Sequence, residues 1–429
     1  MGKKIKHFLF LISLLSCCLA AAAAAAGIGS TSTSDAAAIA DLARSLARPP
    51  STWPAAGGDA CSFKGITCSA AGRVTAIDLA GEGLAGTLPP SLSNLTALES
   101  LQLQGNALSG AVPPLRSPAL ARLSLDGNAF TSIPGDFLLA TPALQILTMD
   151  GLPLPPWPFP AAAIAGSPSL HTFSASNTNM TGPFPAAIDL TSIRTLLLSH
   201  NNLTGVIPAS LGKIGSLTNI SLSYNFFQGP VPEFAATVAV DDVIAGNGFC
   251  LEKPGPCDAQ VSTLLQVAEG FGYPLHLARS WTGNEPCSGW EGVICTMSDV
   301  EILGLTEYNL SGTISPAIGK LTGLQKLNLA NNNLTGEIPD ALTALPNLVS
   351  VDVRNNRLCG QLPKFRASVD VLADGNCPSL RSHHGSGQVS SLDDGSSSPS
   401  GAAAEASSKF SAGTILGIIA VVLVLWKGN

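Results

Sequence analysis

The chain has 429 residues, 45% of them hydrophobic and 12% charged, enough for two or three domains and a sizeable buried core. Its net charge of −7 comes from scattered acids, and the lack of a basic stripe argues against a nucleic-acid partner.

The N-terminus places Lys3, Lys4 and Lys6 before an apolar run from Phe8 to Leu19 and a small-residue stretch from Ala20 to Ala26. That order predicts a secretory signal peptide over residues 1–26. Position 6 is Lys rather than Ser or Thr, which argues against myristoylation at Gly2. Cys17 and Cys18 leave with this segment, and eight cysteines remain. An even number in an exported chain reads as disulfides. They fall into four close neighbour pairs, predicting Cys61–Cys68, Cys250–Cys257, Cys287–Cys295 and Cys359–Cys377. Each short loop so closed is worth roughly 2–3 kcal/mol. No pair has the close spacing of a zinc site and the histidines do not cluster, so neither metal nor cofactor is expected.

Aligned to itself at a period of about 24 residues, the chain resolves into repeats. The clearest, from Leu324, reads LQKLNLANNNLTGEIPDALTALPN; others start at Ile193 and Leu98. Further copies begin at Val74, Leu120, Leu144, Leu170, Leu217, Val300 and Leu348. The L-x-L alternation predicts a short strand with one buried face. The Asn that follows, at 106, 128, 201, 225, 332 and 356, belongs inside a turn, where its amide satisfies backbone groups of the adjacent coil. One coil cannot bury its own apolar face, so the coils must stack into a solenoid. Two copies deviate, with Leu152 and Thr178 at the Asn position. The prolines at 153, 155, 156, 158 and 160 predict an extended protruding loop, with Trp157 as its candidate partner anchor.

The repeats stop near Phe249 and resume at Val300. Before each block stands a helix-like stretch (Ala36 to Leu46, Gln260 to Phe271), a Trp (Trp53, Trp281) and a cysteine pair. An open solenoid end needs a cap, so two caps imply two solenoids. The expected plan is an N-terminal cap over 35–73, a first solenoid of seven repeats over 74–247, a cysteine-rich junction with a second cap over 248–299, and three repeats over 300–377.

The cap motif W…C-x-[WF]-x-G-[IV]-x-C followed by L-x-G-x-[IL]-P repeats resembles the plant leucine-rich-repeat receptor-like kinases. The junction sequence YPLHLARSWTGNEPCSGWEGVIC is similar to that of their transmembrane-kinase subfamily, whose ectodomain has this two-block plan. The resemblance runs from about Asp35 to the hydrophobic tail, and Phe63 replaces the Trp usual in the first cap. It implies an α/β leucine-rich-repeat solenoid, an extracellular protein or peptide ligand, a co-receptor kinase, and a role in growth and auxin-linked surface signalling.

After Cys377 the composition turns to Ser, Gly and Ala, predicting a disordered stalk over 378–411. The apolar run over 412–426 reaches about 22 Å as a helix, short of the roughly 30 Å hydrocarbon core, and reads as a short transmembrane segment. A glycolipid anchor is the competing reading of this tail. No Gly-rich phosphate loop, H-R-D or D-F-G occurs, so the expectation is a non-enzymatic, single-pass plasma-membrane ectodomain lacking its own kinase, or a secreted one if the tail does not anchor. A secreted or anchored ligand-sequestering decoy, or an inhibitor of wall enzymes of the polygalacturonase-inhibitor type, is the alternative; such inhibitors have one uninterrupted solenoid and no stalk.

Sequons stand at Asn94, Asn179, Asn202, Asn219, Asn309 and Asn333. Strand positions pointing away from the core supply the candidate ligand contacts: Gln102, Gln104, Arg122, Asp126, Asp150, His171, Arg194 and Tyr224. His171, His200 and His276 lie far apart in sequence, with no nucleophile motif beside them.

Overall fold

A computed structural model describes residues 31–380 except 55–57, 139 and 187–189. The expected signal peptide, apolar tail and nearly all of the stalk lie outside the described residues. Among the described residues, no helix is long and apolar enough to cross a membrane.

Each repeat contributes one short strand to a parallel front sheet. Ala76, Ser100, Arg122, Ile146, Thr172, Thr195, Asn219 and Ala239 stand side by side in register. The alternation turns Ile77, Leu101, Leu123, Leu147, Phe173, Leu196 and Ile220 inward, each at 0% exposure. With the antiparallel cap strand Ile66–Cys68, this front sheet has nine strands. A separate five-stranded sheet runs from the second cap strand Val293–Thr296 to Asp370–Leu372. Among the described residues no strand pairing joins the two, and each block has its own apolar core. The α/β leucine-rich-repeat solenoid is therefore built twice.

The turn asparagines hold neighbouring coils together. Asn225 Nδ2 donates to Leu222 O in its own coil (3.1 Å) and to Leu198 O in the coil before (2.9 Å), while its Oδ1 accepts from Leu203 N (3.0 Å). Asn106, Asn128, Asn201, Asn332 and Asn356 repeat this pattern. The ladder continues one rung past the sequence reading in both blocks. Asn247 and Asn376 do the same work for the short terminal strands Ala239–Val240 and Asp370–Leu372.

At the coil where Leu152 replaces the Asn, a second sheet on the back of the coils breaks; it runs on through the coil bearing Thr178. It runs over Ala85–Thr87, Ala107–Ala111 and Ala129–Ser132, stops at the coil bearing Leu152, and restarts at Trp157–Pro158. The expected protruding loop is thereby corrected. Trp157 and Pro158 pair with Met180 and Thr181, and a short helix, Ala161–Ala165, follows. Trp157 is half-buried against the first core and its Nε1 donates to Thr178 O at 2.8 Å, so it is a packing element rather than a free anchor. Leu152, Leu154 and Phe159 fill the space beside it, with Phe159 edge-on to Phe173.

The two caps solve one problem with different side chains. Each packs a helix, Thr33–Ser45 or Ala259–Gly270, against the first short 3-10 turn of its block, Pro90–Asn94 or Pro316–Lys320. In the first, the fully buried Asp35 accepts from Val74 N and Arg73 Nε, both at 2.9 Å. In the second, Gln260 Oε1 accepts from Val300 N at 2.8 Å and its Nε2 donates to Ser298 O. Trp53 Nε1 donates to Lys64 O and Trp281 Nε1 to Glu291 O, both at 2.9 Å. Phe63 and Trp290 occupy matching places against these indoles.

The second cap also docks on the back of the first block. Thr204 Oγ1 donates to Tyr273 O (2.9 Å), the buried Gln228 Nε2 to Trp281 O (2.7 Å), and the Arg279 guanidinium lies 5.0 Å from the Phe226 ring centroid. Burial raises the Tyr273 phenol pKa, as does the nearby Glu269 charge.

Two outcomes follow from these contacts. Asn225→Ala leaves Leu203 N–H and two carbonyls without partners in the interior, at about 1–3 kcal/mol for each orphaned group, so the melting temperature should drop by several degrees. Burial pushes the Asp35 carboxyl up, but bonds from Arg73, Val74 and Ser32 outweigh it and hold the pKa below the usual value. Its contribution is therefore complete above the ordinary carboxylate range and is lost as pH falls through the lowered folded value. Asp35→Asn should cost about 2–3 kcal/mol at pH 7 and flatten this acid-side loss in urea melts from pH 7 to pH 3.

Candidate functional site

The solvent side of the first front sheet is organised in rows, because parallel register stacks equivalent positions of successive coils. Arg122 and Arg194 stand near the N-terminal ends of their strands, exposed, and neither forms an ion pair among the described residues. Two coils lie between theirs, so three strand steps of about 4.8 Å set them roughly 14 Å apart along the sheet. His171 lies in the coil next to Arg194, with Nδ1 3.1 Å from Thr172 Oγ1.

Acids occupy the opposite ends of the strands. Asp126 accepts from Thr148 Oγ1 (2.5 Å) and from the Asp150 backbone N–H (2.8 Å). Asp150 in turn accepts from Ser174 Oγ (2.6 and 2.8 Å) and Ser176 N (2.6 Å), and Ser199 Oγ donates to Ser176 Oγ (3.2 Å). Burial raises the Asp150 pKa; the bonds from Ser174 and Ser176 oppose this, and the neighbouring Asp126 charge adds to it. One face thus carries exposed guanidiniums along one side and a hydrogen-bonded acid pair along the other. Beside them, Ser100 Oγ and Gln104 Oε1 are buried atoms with no hydrogen-bond partner among the described residues. Buried polar atoms of this kind are normally satisfied by water or a ligand.

Gln102, Gln104, Arg122, Asp126, Asp150, His171 and Arg194 all fall on this sheet or at its strand ends. Tyr224 does not, and that expectation is corrected. It follows strand Asn219–Ser221 in a left-handed turn (φ 53°), half-exposed and stacked on His200 at 4.4 Å. Trp157 lies in the back sheet. The sheet's working hydroxyls, Thr148, Ser174, Ser176 and Ser199, went unnoticed in the sequence; their signal is a Ser or Thr at the same offset in successive repeats.

The four cysteine pairs are bonded as Cys61–Cys68, Cys250–Cys257, Cys287–Cys295 and Cys359–Cys377. Asn94, Asn309 and Asn333 are exposed; Asn179, Asn202 and Asn219 are half-buried, with Asn219 on a front strand. Among the described residues no cluster of His, Cys, Asp and Glu could hold a metal ion.

Comparison with known proteins agrees with this architecture. The leucine rich repeat N-terminal domain matches residues 32–69 and 257–296, the two caps. Leucine rich repeat models match residues 192–214 and 322–367. Receptor protein kinase WSS1 of Oryza sativa subsp. japonica is 47% identical over 428 residues, covering 80% of this chain and 46% of that protein. Receptor-like kinase TMK4 of Arabidopsis thaliana is 35% identical over 372 residues, covering 68% of this chain and 39% of that protein. Among solved structures, the PEPR1–AtPEP1 complex aligns at 25% identity with a TM-score of 0.43, over 80% of this chain and 52% of that one. The chain spans less than half the length of either kinase. With two caps and two repeat blocks, the chain is a leucine-rich-repeat protein similar to the repeat-bearing part of the TMK-like plant receptor-like kinases.

Proposed function

We propose that this chain is the extracellular recognition scaffold of a plant cell-surface receptor, and that its first front sheet binds an extended protein or peptide ligand bearing both charges. The observation that carries this reading is the front sheet itself. Exposed Arg122 and Arg194 line one side and Asp126 and Asp150 the other, and beside them Ser100 and Gln104 lack hydrogen-bond partners among the described residues. A ligand's carboxylate pairs with the guanidiniums, and its ammonium or guanidinium with the acids. Rigid strands hold both sets in place before the ligand arrives, which lowers the ordering cost of binding.

On this reading the chain recognises rather than catalyses. Residues 412–426 anchor it at the plasma membrane as a single-pass protein, and a partner kinase carries the signal inward. A role in growth and auxin-linked signalling is the family's contribution to the proposal.

The test uses the purified chain and a library of extended synthetic peptides carrying one lysine and a free C-terminal carboxylate. Joint charge reversal, Arg122→Glu with Arg194→Glu, should weaken the best binder by about tenfold or more, or about 1.4 kcal/mol, without lowering the melting temperature. Unchanged affinity in calorimetry would remove this face from consideration.

A further inference from the structure

The tetrapeptide Asn-Leu-Thr-Gly occurs at 202–205 and again at 333–336. Both copies are glycan-acceptor sequences, and both lie in back-sheet strands at the same point of their coils. Their backbones agree, with φ of 80° at Gly205 and 79° at Gly336. Their surroundings do not.

At the second copy, Asn333 and Thr335 are exposed, and the Thr335 hydroxyl donates to Gly312 O at 3.0 Å. At the first, Thr204 is 1% exposed and its hydroxyl donates to Tyr273 O at 2.9 Å. Asn202 Nδ2, the atom a sugar would join, donates to Asn179 Oδ1 at 2.5 Å. The Tyr273 ring covers Gly205 so closely that an added methyl would lie 2.6 Å from it, and helix Leu275–Ser280 packs on the same strand.

We propose that docking of the second cap closes the Asn202 sequon, so that a glycan at Asn202 and a docked cap exclude each other. The docked chain then carries N-linked sugar at Asn333 and none at Asn202. Transfer bonds Nδ2 to the anomeric carbon of a lipid-diphosphate-linked oligosaccharide. That carbon's bond to the diphosphate breaks, the lipid diphosphate leaves with the electron pair, and one amide proton passes to solvent. The reaction needs a reachable carboxamide and a reachable hydroxyl two residues on. The docked cap engages the hydroxyl through Tyr273 O and covers Gly205 beside it, while Asn179 of the preceding coil holds the carboxamide. A glycan attached at Asn202 before residue 273 arrives would leave the joint open.

The proposal rests on the extracellular reading, because only a chain passing through the secretory route meets the donor. The test is site-resolved glycopeptide mass spectrometry on the full secreted chain, with hydroxyl-radical footprinting of Tyr273 on the same sample. Asn333 should be modified in most molecules, Asn202 should be bare, and Tyr273 should be protected. Gly205→Val, which forces the ring away, should raise Asn202 occupancy several-fold. Tyr273→Ala should do the same while leaving the Gly205 backbone untouched. Equal occupancy at Asn202 and Asn333 in molecules with a protected Tyr273 overturns the exclusion. A bare Asn333 overturns the secretory reading, and this proposal with it.

Discussion

The structure depends on a single recurring interaction, the asparagine carboxamide that spans two coils. A solenoid turn must bury backbone N–H and C=O groups that no strand partner reaches, and each such group is costly if left unpaired. A carboxamide offers two donors and an acceptor in one plane, a combination that hydroxyls and carboxylates lack. Asn225 uses them on Leu222, Leu198 and Leu203, and so fixes the spacing of one coil against the one before it. The leucine core supplies the bulk of the driving force; the carboxamides set the register in which that core can form.

The departures from this rule are informative because they are compensated nearby. With Leu152 in place of Asn, the back sheet is interrupted, and Trp157 enters the gap with its indole N–H on Thr178 O. Thr178, the second departure, keeps part of the pattern: its hydroxyl donates to Ala175 O and Asn201 Oδ1, while its N–H also reaches Asn201. The residue before the ladder position takes a left-handed conformation, supplied by Gly105 and Gly127 early on and by His200 and Tyr224 later. Strain at the two aromatic residues is of the order of 1–2 kcal/mol each, and their mutual stacking offsets part of it.

Much of this was legible in the sequence, and the reasons are specific. Periodic Leu and Asn positions report directly on buried faces and satisfied turns, so the two blocks, their caps and the neighbouring cysteine pairs could be read in advance. Asn247 and Asn376 escaped because their coils are shortened and lack the L-x-L strand that marks a repeat. Trp157 was misjudged because local proline content predicts a loop, whereas pairing with Met180 depends on a strand more than twenty residues away. On the front sheet, the charged residues could be nominated from alternation alone. The bond from Thr148 to Asp126 required the register between coils, and Tyr224 required the turn geometry. The contact of Thr204 with Tyr273 carries no periodic signal at all, since it joins residues 69 apart.

The second cap restarts the stack rather than lengthening it. Strand pairing within one front sheet is therefore insulated from the number of turns in the other, which in this chain stand at unequal lengths. Turns can be gained or lost in either block without displacing the side chains aligned across its neighbour. The two front faces can then differ in length and side chains while one joint, centred on Tyr273, Trp281 and Gln228, holds the blocks together.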